Sequence, residues 1–297
     1  MTAEEFSSPL VNLGEQLFFD KRLSRDADLA CASCHRPEMG TADNHIVSTG
    51  ARGHRGNRNT PVIFNLVFAG AVMLDGRAKD IDSQPILPLE AANEMNVSWP
   101  EAIRIIGNDP QVLDVLQKLG VRVLDRTLVV RALSEYVKSL VAGNSRFDRF
   151  YFGKQNDTLK DDEKAGLALF LGKANCSSCH LVSSDFALFT DSGFHALGTR
   201  PTSTSADLGR FLITGLRSQR GAFKTPTLRN VSKTGPYMHD GRFASLEEVV
   251  RFYSDGGGTG VKDSQLQRLD LSAAEQKQLV LFLYSLDCDM VSYRPIQ

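Results

Sequence analysis

A chain of 297 residues has room for one large domain or two ordinary ones, and 42% hydrophobic residues suffice for a packed core. Charged residues make up 23% with a formal net charge of −1, so the charge points neither to nucleic acid nor to an anionic membrane surface. No apolar run is long enough to span a bilayer, and the opening Met1-Thr2-Ala3-Glu4-Glu5 lacks the basic-then-apolar pattern of a secretory leader, which implies a leader already removed.

In chain order, a first apolar helix is predicted around Gly14-Glu15-Gln16-Leu17-Phe18, and Cys31-Ala32-Ser33-Cys34-His35 follows it. Residues 36–62 are rich in Gly, Pro, Ser and Thr and read as loop. Over 127–141, Leu128, Val129, Leu133, Val137, Leu140 and Val141 recur at helical spacing. Between Gly153 and Thr158 that periodicity lapses and Gly, Lys, Gln, Asn and Asp gather, the composition of a linker. A second apolar helix carries Gly166-Leu167-Ala168-Leu169-Phe170 before Cys176-Ser177-Ser178-Cys179-His180. Two Gly-x-x-Leu-Phe helices, each followed by Cys-x-x-Cys-His, form an internal repeat at domain scale. It predicts two related domains, 1–155 and 156–297. Residues 183–245 are again loop-rich, and loops of that length in a globular chain have something to wrap around. Ser245 with Glu248, and Ser272 with Glu275, are capping-box signatures ahead of two further apolar helices, the first ended by Gly256-Gly257-Gly258. The fold class is therefore mainly α: two helical domains with long irregular loops.

The five cysteines form two pairs of identical spacing with Cys288 left over, which reads as a small buried residue. A disulfide framework is a poor reading for a chain that does not need staples. Cys-x-x-Cys-His is the attachment signature of c-type haem: two thiols add across the porphyrin vinyl groups, and the adjacent histidine comes to lie under the iron. A structural zinc site needs further Cys or His ligands nearby, and Cys288 alone cannot complete two of them. A thioredoxin-like dithiol needs an α/β context that is absent here. Two covalent haems follow, on Cys31, Cys34 and His35 and on Cys176, Cys179 and His180. Each is an apolar plate for the loops to enclose.

Further motifs stand in order around these two: Asn59-Thr60-Pro61, Leu74-Asp75-Gly76-Arg77-Ala78, Gln84 with Pro88 and Glu94, Pro226-Thr227-Leu228-Arg229-Asn230 and Pro236-Tyr237-Met238-His239-Asp240-Gly241. With them the chain, over nearly its whole length, resembles the bacterial dihaem cytochrome c peroxidases, and within them the MauG branch. The resemblance implies two cytochrome c-like domains with one haem each, and a calcium ion held by Asn59, Thr234 and Pro236. Oxygen-only ligation suits that hard cation, although each of the three is also a plain turn former.

The resemblance also implies that peroxide reacts at the N-terminal haem. Gln84 and Glu94 match the family's distal glutamine and glutamate, and Pro88 the proline that keeps this side of the iron open. A carboxylate in a mostly apolar pocket can move the peroxide proton to the leaving oxygen. Where conventional members have a histidine on this iron, the register places Ala51. His54 lies three residues away and reads as a loop histidine. At the second haem Tyr253 stands where peroxidases have a methionine, as in MauG-like proteins. The alternative is a core tyrosine, with Met238 or Met290 as ligand.

Two departures bear on electron flow. Leu74 replaces a tryptophan that the family has between its haems, and Ala174 replaces MauG's surface tryptophan ahead of the second motif. The only tryptophan, Trp99, opens a predicted helix and reads as a packing residue. The resemblance implies a periplasmic enzyme that uses hydrogen peroxide to oxidise a residue, tryptophan in known branches, of a partner protein. The alternative is a peroxidase drawing electrons from a small cytochrome or copper protein. A plain electron carrier is disfavoured by the open distal side at Ala51.

Overall fold

The computed structural model describes residues 8–199 and 207–290. Its helices are α1 (Pro9–Phe19), α2 (Cys31–Cys34), α3 (Ile86–Glu90), α4 (Trp99–Ile106), α5 (Pro110–Lys118), α6 (Arg126–Ser139), α7 (Arg146–Tyr151), α8 (Asp161–Leu171), α9 (Phe211–Thr214), α10 (Leu246–Ser254) and α11 (Ala273–Tyr284). The chain divides into two compact units. Residues 8–72, 78–141 and 290 belong to the first, and 73–77, 142–199 and 207–289 to the second. The division falls before α7: Phe147 is fully buried in the second unit's core, and its N–H bonds Ser285 O at 3.2 Å. A five-residue stretch from the first half of the sequence also belongs to the second unit. Val72 and Ala78 pair across its base as an antiparallel bridge.

The first unit is built on α1 packed along α6. Ser8 caps α1 by accepting from Val11 N, with Pro9 at its first position. Leu13, Leu17 and Phe18 of α1 bury against Ala132, Leu133 and Tyr136 of α6. The helices approach closely at Gly14, where an added Cβ would meet Ala132 O and lie 2.7 Å from Tyr136 Cβ. The second unit repeats the device with α8 on α11. There Gly166 faces Gln278 O, and its missing Cβ would lie 2.8 Å from Phe282 Cβ. Phe147, Phe170, Phe189 and Phe282 form its aromatic centre, with ring centroids 5.1–6.5 Å apart. The repeat read from Gly-x-x-Leu-Phe is thus a packing motif, the glycine letting two helix backbones meet.

Both capping boxes form: Ser245 with Glu248 starts α10, and Ser272 with Glu275 starts α11. Two glycines with positive φ, Gly256 and Gly257, follow α10. The segments 36–62 and 183–245 are irregular as expected where described, apart from α9, short single turns and two strands. Those strands, Phe194–Ala196 and Ala222–Lys224, pair antiparallel with His195 opposite Phe223.

Candidate functional site

The first Cys-x-x-Cys-His motif is a single helical turn. His35 N donates to Cys31 O at 2.9 Å, and Ser33 Oγ accepts from Ala30 N at 3.0 Å. Three residues apart, the two thiols fall on one face of that turn. His35 Nδ1 lies 3.1 Å from Thr41 O, held by a tight turn that the Arg36–Ala42 bridge closes. A carbonyl oxygen only accepts, so Nδ1 carries the proton and Nε2 keeps its lone pair for a metal. Burial holds His35 below its ordinary range, and hence neutral. The free thiols are pushed up by burial, Cys31 to about 12 and Cys34 to about 11. They are therefore poor thiolates, which argues against a redox dithiol.

The second motif repeats this construction. His180 N donates to Cys176 O at 2.9 Å, and His180 Nδ1 lies 2.8 Å from Phe189 O, again leaving Nε2 free. Burial lowers His180, raises Cys176 to about 12 and raises Cys179. Tyr253 extends from α10 toward the same cysteines. Its phenol is held above its ordinary value first by burial and then by Cys176 and Cys179. Its hydroxyl has no hydrogen-bond partner among the described residues, whereas Tyr237 donates to Val231 O at 3.0 Å. Met238 occupies a left-handed turn, and the side chain of Met290 lies outside the described residues. Each motif therefore offers two thiols and one unprotonated imidazole nitrogen, the donor set that a covalent haem takes, so the residues fit that group. In the second unit a phenol faces the same space.

Of the residues expected near the first motif, Ala51 and Glu94 are joined by a backbone hydrogen bond, and the Glu94 charge acts on Cys34. Pro88 sits within α3, and Met95 N donates to Pro88 O at 3.0 Å, folding the following strand back over the helix. Gln84 lies one turn before, its carbonyl accepting from Leu87 N. Ala51, 1% exposed, donates its N–H to Glu94 O at 2.7 Å. Gly50 permits this approach, since a Cβ there would lie 2.8 Å from Glu94 Cα. The Cys34 thiol is raised by burial first, and then by the charges of Asp43 and Glu94, so the Glu94 carboxylate lies near the attachment turn. His54 is exposed, consistent with a loop histidine. Asn59 belongs to the first unit and Thr234 and Pro236 to the second. Asn59 donates Nδ2 to His45 O at 2.8 Å, which leaves Oδ1 as its acceptor. Ala174 is buried in the second unit's core, not at the surface, and Cys288 is buried as expected.

Three arrangements were not legible in the sequence. His195 is held between two carboxylates, Nδ1 2.7 Å from Asp263 and Nε2 2.9 Å from Asp191. Burial alone would lower it, but the two aspartates outweigh burial and raise it. Cys179, Asp191 and His195 bring ligand atoms within 4.8 Å, yet both nitrogens of His195 are already engaged. Arg210 donates to Asp75 O and Gly76 O at 2.9 and 2.8 Å while stacked 4.3 Å over Phe194. Arg229, 7% exposed, forks onto Asp148 at 2.7 and 2.8 Å. Their partners stand 68, 135 and 81 residues apart, beyond any local signal.

The helical fold and the paired attachment turns define a c-type cytochrome with two sites. The profile of the di-haem cytochrome c peroxidases matches residues 8–156. The chain is 35% identical over 284 residues to the methylamine utilization protein MauG of Methylorubrum extorquens, covering 94% of this chain and 78% of that one. It is 32% identical over 291 residues to the cytochrome c551 peroxidase of Nitrosomonas europaea, covering 97% and 83%. The crystal structure of a MauG-like protein associated with microbial copper homeostasis superposes with a TM-score of 0.86 at 28% identity, covering 99% of this chain and 92% of that one. The chain belongs to the di-haem cytochrome c peroxidase family, whose members are peroxide-dependent oxidoreductases. No helix among the described residues is long and apolar enough to cross a membrane.

Proposed function

We propose that this chain uses hydrogen peroxide to oxidise residues of a partner protein, as a MauG-like enzyme of the periplasm. One covalent haem is held in each unit, by Cys31, Cys34 and His35 and by Cys176, Cys179 and His180. The observation that carries the reading is Tyr253: a half-buried phenol without a hydrogen-bond partner among the described residues, facing the second cysteine pair where peroxidases have a thioether. A phenolate favours high oxidation states of iron, so it suits a site that stores oxidising equivalents rather than one that receives electrons at high potential. The haems supply the two-electron chemistry of peroxide. Beside a bound haem, Glu94 would move a proton between the peroxide oxygens and Gln84 would orient the peroxide, while Pro88 and the buried Ala51 offer no competing ligand side chain.

The test is peroxide titration of the ferric holoprotein, followed optically. A two-electron-oxidised form that persists alone, and decays faster with a tryptophan-bearing secreted partner, supports the reading. Rapid turnover with a small reduced cytochrome, at the rate of peroxide reduction, refutes it in favour of a cytochrome c peroxidase.

A further inference from the structure

Trp99, the only tryptophan of the chain, is held as few packing residues are. It opens α4 half-buried, and its indole Nε1 donates to Glu90 Oε1 at 2.8 Å. The same oxygen accepts an ion pair from Arg126 at 2.8 Å, and that guanidinium stands 5.7 Å from the indole centroid. Glu90 and Arg126 keep exposed side chains, 42% and 53%, so the cluster reaches the surface of the first unit. Its link to the first attachment turn runs along the chain through Glu94, whose charge acts on the Cys34 thiol. Glu90 closes α3, the helix that contains Pro88. Met95 N to Pro88 O and Val97 N to Leu89 O fold the segment after Glu94 back onto that helix, two residues before Trp99. Trp99 is five residues from Glu94, so their Cα atoms are at most roughly 18 Å apart.

We infer that Trp99 is a redox relay, through which an oxidising equivalent leaves the peroxide-reacting haem of the first unit for the protein surface. This rests on the peroxide reading above. Indole is among the most readily oxidised side chains, and its one-electron-oxidised cation is a far stronger acid than indole itself. In the step, one electron passes from Trp99 to the oxidised haem. The Nε1 proton passes along the existing hydrogen bond to Glu90, leaving a neutral indolyl radical and a carboxylic acid. The positive Arg126 beside the ring disfavours a retained indole cation and so favours proton loss. Two such electrons and two protons convert the peroxide oxygens to water. The radical is then quenched by an electron from a donor docked at this surface, and the proton held by Glu90 returns to Nε1, restoring the starting hydrogen bond. Glu90 and Arg126 are positioning residues, acting through the indole.

A single tryptophan makes the test site-specific without any substitution. Holoprotein grown with ring-deuterated tryptophan is mixed with peroxide, freeze-quenched and measured by electron paramagnetic resonance. The expected result is an organic radical whose hyperfine pattern narrows on deuteration and which Trp99→Phe abolishes. Glu90→Gln keeps a carbonyl oxygen for the indole N–H but cannot take its proton, so radical formation should slow roughly a hundredfold while the ferric haem spectrum is unchanged. With excess peroxide and no partner, peptide mass mapping should find added oxygen at Trp99. Haems oxidised by peroxide, with a radical insensitive to the deuterated label and Trp99 unmodified, would refute the relay alone. Haems that peroxide does not oxidise would overturn the parent reading and the relay together.

Discussion

Gly166→Ala is the sharpest probe of the duplicated helix pair. The new Cβ would lie 2.8 Å from Phe282 Cβ and run into Gln278 O. Carbon atoms rest at about 3.5–4.0 Å, so α8 and α11 must part by roughly 1 Å. Overpacking of this kind costs about 1–3 kcal/mol, and a rigid backbone carbonyl in the way argues for the upper end. Alanine returns up to about 1 kcal/mol of helix propensity, leaving a net loss of about 2 kcal/mol. For a unit of this size that lowers the melting midpoint by roughly 4–8 °C. The assay is a thermal melt of the holoprotein followed by far-ultraviolet circular dichroism, beside Gly143→Ala as control. A Cβ at Gly143 meets nothing within 4 Å and should change stability by less than about 0.5 kcal/mol. A Gly166→Ala midpoint equal to or above wild type would show that the glycine is not needed for the close approach.

The remaining predictions concern charge and ligation. Asp148→Asn strands the buried Arg229 and should cost about 3 kcal/mol at neutral pH. Burial would raise the Asp148 carboxyl, but the Arg229 fork prevails and holds it below its ordinary value. Its stabilisation is therefore complete above the unfolded-state value of about 4 and is lost as pH falls through the lower folded value. Urea midpoints of wild type and Asp148→Asn should converge on acidification, and a pH-independent gap would contradict the assignment. Tyr253→Phe should convert the low-spin ferric signal of the second haem, and an unaltered spectrum would point to another ligand such as Met238. Glu94→Gln should keep the ferric spectrum while slowing peroxide activation about a hundredfold. An unchanged rate by stopped-flow would remove Glu94 from the mechanism.

What the sequence made legible is what short-range chemistry determines. Ser245 with Glu248 and Ser272 with Glu275 satisfy their helix starts within four residues, so both starts were readable. The attachment motifs were readable because covalent chemistry fixes their spacing. Trp99 was correctly read as a helix start, but its indole bond to Glu90 depends on how the strand after Glu94 folds back over α3. Gly153–Thr158 has a linker's composition, whereas the burial of Phe147 before it is decided by aromatic partners far along the chain and leaves no local signal. His195 could not be matched to Asp263, 68 residues away, by any periodicity.

The excursion of residues 73–77 makes the two halves genetically inseparable. The second unit includes Leu74, whose carbonyl accepts from Lys224 N at 2.8 Å, and Asp75 and Gly76, whose carbonyls take the Arg210 guanidinium. Gly76 itself admits no substituent, because a Cβ there would lie 2.5 Å from Phe194 Cζ. A gene fragment beginning at residue 142 would encode a unit without that loop, leaving the Lys224 amide and Arg210 without their acceptors. Domain shuffling by recombination at the apparent midpoint of the chain therefore yields a defective second half. The duplicated architecture is inherited only as one uninterrupted reading frame.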